Sequence, residues 1–170
     1  MLTVSISNTV ERELTSLTSV HVGPIPSGRG TPDRYVTVSR DGDPFLRVDI
    51  YGDSGSSLFE EVIVWRENVV VGFGSHVHLI ALPDHAHRSI PLEWYFGHLY
   101  PSERNLFVTS AQRVFCFGPD QQVLWRSEIV GIDGVVLDDI DGPTVRGEGE
   151  WDPPRGWRPF ALLASSGAPA

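Results

Sequence analysis

Short apolar runs of period two, rich in β-branched and aromatic residues and closed off by Gly, Pro, Asp or Asn, recur from one end of the chain to the other. A period of two puts alternate side chains on opposite faces of an extended strand, whereas a helix needs a period of about 3.6. Residues Tyr35–Arg40 and Phe45–Tyr51 flank Arg40-Asp41-Gly42-Asp43-Pro44, which is rich in residues that tolerate unusual backbone angles, so a hairpin is predicted. Val62–Trp65, Val69–Phe73 and Val77–Leu82 follow with three residues in each gap, predicting a meander. The layout returns at Leu106–Thr109, Val114–Phe117 and Val123–Trp125, and Pro119-Asp120 stands 36 residues after Pro83-Asp84. A recurrence of this length marks a supersecondary repeat, and a further copy is expected to start at Gly134-Val135-Val136-Leu137.

One short helix at most is expected, where Val10, Leu14 and Leu17 share a helical face behind Asn8, a residue suited to capping. The Gly- and Pro-rich stretch 22–33 reads as a loop and residues 165–170 as a frayed tail. A chain of 170 residues fits one domain spanning 1–170, and a domain near this size buries about 70% of its unfolded surface.

Composition narrows the function classes. Every one of the 13 basic residues is arginine, so chemistry that needs an amine (a Schiff base, a P-loop phosphate cradle, a Ser-Lys dyad) is excluded. The absence of lysine also matches the coding bias of a GC-rich bacterium. A formal charge of −9 without a basic cluster argues against a nucleic-acid partner and favours another protein, a basic one above all. No run approaches the ~18 apolar residues of a membrane span, and the first residues lack the pattern of a signal peptide, so no membrane association and a cytoplasmic location are expected. Cys116, between Phe115 and Phe117, reads as a small buried residue.

The segments Val62–Leu82 and Leu106–Trp125, each a tight meander with Trp65 or Trp125 at a strand end, resemble blades of WD40-like or PQQ-type β-propellers over less than half of the chain. The Trp-Asp and Gly-His signatures of true WD40 repeats are absent. The segment from Gly147 to Phe160 resembles a recurrent ending of bacterial proteins and implies no activity. The predicted class is therefore all-β, an antiparallel meander of blade-like repeats that forms a curled sheet, a sandwich or a partial propeller.

Three constellations could carry chemistry. Gly52-Asp53-Ser54-Gly55 resembles the nucleophile motif of chymotrypsin-like proteases, and Gly52-Asp53-Ser54 with Asp84-His85-Ala86-His87 resembles two blocks of the SGNH esterases. Neither family's fold or motif order is matched, and Gly, Asp and Ser suit a strand-ending turn, so no catalytic residue is assigned. On a strand His76 and His78 share a face, and His85 and His87, or Asp84, would complete the shell of one divalent transition metal if the next turn folds back. The alternative is a polar turn with His78 toward solvent and no cofactor. Asp138-Asp139-Ile140-Asp141-Gly142 lacks the spacing of a calcium loop and reads as a turn.

Trp94, Tyr95 and Phe96 cluster between the repeats, and Trp151, Arg155, Trp157 and Arg158 crowd a Pro-rich span near the end. Tryptophan and arginine dominate interface energetics, so these seven residues are the candidate binding surface. The leading expectation is a non-enzymatic protein-binding module, of the kind of an immunity or antitoxin-like inhibitor of a bacterial protein. The alternatives are a metal protein using the histidines of 76–87, and a structural β subunit that protects its open edges by forming a homo-oligomer.

Overall fold

The computed structural model describes every residue except 25–27, 29, 53–58, 141 and 154–155. The fold is all-β, built from four sheets in chain order. Sheet one holds β1 (Leu2–Ser7), β2 (Ser19–Val22), β3 (Arg34–Arg40) and β4 (Asp43–Ile50) in the order β1-β3-β4-β2, with β2 parallel to β4. Sheet two is the meander β5 (Glu60–Trp65), β6 (Asn68–Phe73), β7 (His76–Ala81) and β8 (His87–Pro91). Sheet three repeats it with β9 (Phe96–Pro101), β10 (Leu106–Ser110), β11 (Val114–Phe117) and β12 (Val123–Arg126). Sheet four has β13 (Val135–Asp139), β14 (Thr144–Glu150) and β15 (Trp157–Leu163).

The predicted hairpin is β3–β4, tightened to the two-residue turn Asp41-Gly42, whose residues both have positive φ (53° and 94°). Such a turn matches the right-handed twist of the strands it joins, and glycine adopts its second position without a Cβ clash. The 36-residue recurrence is structural as well: β5 begins at Glu60 and β9 at Phe96, and Pro83-Asp84 and Pro119-Asp120 both follow a third strand. The sequence segments Leu2–Ser7, Ser19–Val22, His87–Pro91, Phe96–Pro101, Thr144–Glu150 and Trp157–Leu163, not anticipated as strands, complete the sheets.

Three apolar clusters lie between successive sheets. Val36, Val48 and Ile50 of sheet one meet Val69, Val71 and Phe73 of β6. Val70 and Leu79 from the other face of sheet two meet Phe96, Leu106, Val108 and Phe115 of sheet three. Phe107, Val114 and Cys116 then meet Val135, Val145 and Leu162 of sheet four. Sheets two and three are thus buried on both faces, which is why β6 and β11 read as unbroken apolar runs. The first strands lie side by side across the stack, β5 beside β1, β9 beside β5 and β13 beside β9.

The expected helix is a single 3-10 turn, Arg12–Ser16, with no buried residue. Too few of its side chains reach a core for an α-helix to be stabilised. It packs over the outer face of sheet one, where Arg47 makes a bidentate pair with Asp49 at 2.7 and 3.0 Å and donates to Leu14 O at 3.0 Å. The tail 165–170 is held against the sheet, not frayed: the Leu163 N–H donates to Ala168 O, the Ala170 N–H donates to Ala161 O, and Gly167 lies against the Trp125 ring. No helix among the described residues is long and apolar enough to cross a membrane.

Candidate functional site

Where the first strands of sheets two, three and four begin, their ends converge on a cleft of about 270 Å³. The repeat supplies its wall. Phe59 and Tyr95 each stand one residue before a first strand, 36 positions apart, and their ring centroids are 6.4 Å apart. Asp133 and Gly134 precede β13 in the corresponding place. From the far side the register Glu150↔Trp157 of the β14–β15 pair brings a carboxylate and an indole together. A Cβ on Gly134 would stand 3.1 Å from Trp157 Cη2 and 3.8 Å from Glu150 Oε2, so the absence of a side chain there lets both groups close on the cleft.

The polar groups differ in how far the chain itself satisfies them. Tyr95 Oη donates to Asp133 O at 2.6 Å, and burial, the Asp133 carboxylate and Glu150 push its phenol up to about 12. It is a neutral hydrogen-bond donor at any physiological pH. His98 Nδ1 lies 2.5 Å from Glu61 Oε1, while Glu61 Oε2 accepts the Leu99 N–H at 3.0 Å, so this pair stitches β5 to β9. Glu150 is only 9% exposed, yet its carboxylate makes no hydrogen bond or ion pair with any described residue.

Trp94, immediately before Tyr95, is 72% exposed and holds a left-handed backbone conformation, φ 67°. Its loop is fixed from behind: Glu93 lies 3.2 Å from Arg113 and 3.1 Å from Arg126. Trp157, 39% exposed, stands at the cleft's other side. Trp151 is half-buried under the Arg158 guanidinium, 5.9 Å from its ring centre, and Arg155 lies outside the described residues. Phe96 corrects the expectation of a surface residue: it is fully buried between sheets two and three, packed on Gly72, where a Cβ would come within 2.1 Å of its ring. Strand alternation turns it inward although its sequence neighbours face the cleft and solvent. Cys116 is buried, as expected, and burial raises its thiol to about 12.

His76 and His78 do share a face, their rings stacked 5.8 Å apart. His78 is not toward solvent, however; it is buried, with Nδ1 2.8 Å from Ser89 Oγ. Burial, then His76 and His87, hold its pKa down to about 3, so it is neutral. His85 occupies the β7–β8 turn at φ 60°, and His87 is exposed beside it, with Nδ1 3.3 Å from His85 O. Among the described residues no three His, Cys, Asp or Glu side chains stand where one metal ion could take them all. Residues 53–56 of the Gly-Asp-Ser-Gly-Ser string and Asp141 of the acidic turn lie outside the described residues.

Sequence reasoning missed Phe59, Glu61, Asp133 and Glu150. The 36-residue offset would have aligned Phe59 with Tyr95, but Glu150 reaches the cleft only through hairpin register. A second cavity, about 500 Å³, lies at the opposite end of β9 and β13, lined by Glu103, Arg104 and Pro143 among others. No protein-family model matches the chain, and no curated protein matches it.

Proposed function

We propose that the chain is a non-enzymatic protein-binding module that docks a partner protein on the face around this cleft, with Trp94 and Trp157 as its anchors. The observation that carries the reading is Trp94. A bulky side chain at positive φ costs on the order of 1 kcal/mol, and an indole 72% exposed recovers nothing from packing within the chain. Both costs make sense if a partner covers the ring, since desolvated tryptophan is among the commonest binding hot spots. The ion pairs of Glu93 with Arg113 and Arg126 hold the loop ready, which lowers the ordering entropy of association.

A net charge of −9 and the acidic lining of the cleft suit a basic partner, in keeping with an inhibitor of immunity or antitoxin type that covers a cationic site on its target. At the level of architecture, the 36-residue recurrence and the side-by-side first strands support an open arc of propeller-type blades. Affinity capture from the native host followed by binding isotherms with each purified captured protein tests the function. Trp94→Ala and Trp157→Ala, both folded by circular dichroism, are expected to weaken binding by about tenfold or more. Unchanged affinity in both variants would remove the reading.

A further inference from the structure

We propose that the cleft receives an arginine side chain of the partner, an inference that rests on the binding reading above. Its floor is a carboxylate that the described chain leaves without a counter-ion: Glu150 is 9% exposed, it faces the cleft, and it has neither an ion-pair nor a hydrogen-bond partner among the described residues. The carboxylate opens on the cleft, where an opposite charge or several donors would complete its hydrogen bonding, and none is supplied from within the described chain. Asp133 adds a second carboxylate, whose contact with the Tyr95 hydroxyl at 3.3 Å leaves acceptor capacity open.

The walls specify the cation further. Trp157, Tyr95 and Phe59 are all aromatic, and aromatic faces attract cations through their quadrupole. A guanidinium stacks flat on such rings and presents a planar fork to a carboxylate, whereas an ammonium is a compact, strongly hydrated charge that stacks poorly. Size agrees: about 270 Å³ lies below the range of roughly 300–1,000 Å³ for sites that enclose small ligands and cofactors, and suits a single long side chain. His78 is satisfied by Ser89, Arg47 by Asp49, and the cavity beside Arg104 mixes both signs of charge.

The test uses the folded chain and acetyl-Gly-Arg-Gly-amide, followed in NMR titration through the backbone amide signals of Gly134 and Val135 in the cleft lining, which every variant retains. The expected result is saturable binding that is at least about tenfold weaker when citrulline, the neutral isostere, replaces arginine, and also weaker than arginine, though less so, with lysine. Glu150→Gln is expected to weaken the arginine peptide by about tenfold, as is Trp157→Leu; the second substitution, at a half-exposed position, serves if the first disturbs folding. Equal binding of the arginine and citrulline peptides, or none of either, overturns the inference. Equal binding of lysine overturns its assignment to a guanidinium. If the arginine peptide fails while host-partner binding still depends on Trp94, only this inference falls; if that dependence is missing, the reading beneath it falls whatever the peptide does.

Discussion

Between sheets one and two a buried polar group, His78, has its partner, Ser89, on the next strand of the same sheet; where sheets three and four meet another, Glu150, pairs through its side chain with no described residue. Both side chains sit on a frame of stacked sheets joined by apolar clusters. At the first of these folding alone supplies the hydrogen bond. At the second it stops one charge short, beside two exposed indoles. A buried polar group satisfied internally serves the fold, whereas one left open at a cleft points outward to a ligand.

The largest break in this contrast comes from the apolar frame itself. Phe96→Ala, in the cluster between sheets two and three, is expected to cost about 3–5 kcal/mol in urea denaturation, while Trp94→Ala, two residues away, stays within about 0.5 kcal/mol. A smaller effect separates the seams by pH. Unfolded His78 titrates near 6.5 and folded His78 near 3, so the unfolded chain binds the extra proton between these values. The stability it contributes is therefore complete above pH 6.5 and is lost as pH falls toward 3, at about 1.4 kcal/mol per pH unit. His78→Gln should remove that part of the slope in denaturation midpoints measured from pH 7.5 to about pH 5; an unaltered slope would contradict the burial of a neutral ring. The smallest effect belongs to the open seam, where Glu150→Gln removes no internal hydrogen bond and should leave stability within about 0.5 kcal/mol. A loss of several kcal/mol there would mean that Glu150 serves the fold after all.

Much of the frame was legible because it is written locally. Val69-Val70-Val71 and Val114-Phe115-Cys116-Phe117 announce strands buried on both faces, and Asp41-Gly42 announces its turn through backbone angles that few residues accept. The site was less legible because it is assembled from afar. Trp94, Tyr95 and Phe96 look alike in sequence, yet one is exposed, one lines the cleft and one is core. That division is set by Trp94's positive φ and by Gly72 on another sheet, which leaves room for the Phe96 ring. The parallel pairing of β2 with β4 and the meeting of Glu150 with Trp157 likewise depend on register that no short window contains.

Each apolar cluster joins two sheets that are consecutive along the chain, so cohesion passes from neighbour to neighbour. A molecule tied together in this way behaves like a short one-dimensional array, in which a perturbation is felt mainly one unit to either side. Its outermost members, held from one side, are the first to open, and amide protons of β1 and β15 should exchange with solvent well before those of β6 and β10, whose sheets are clamped on both faces.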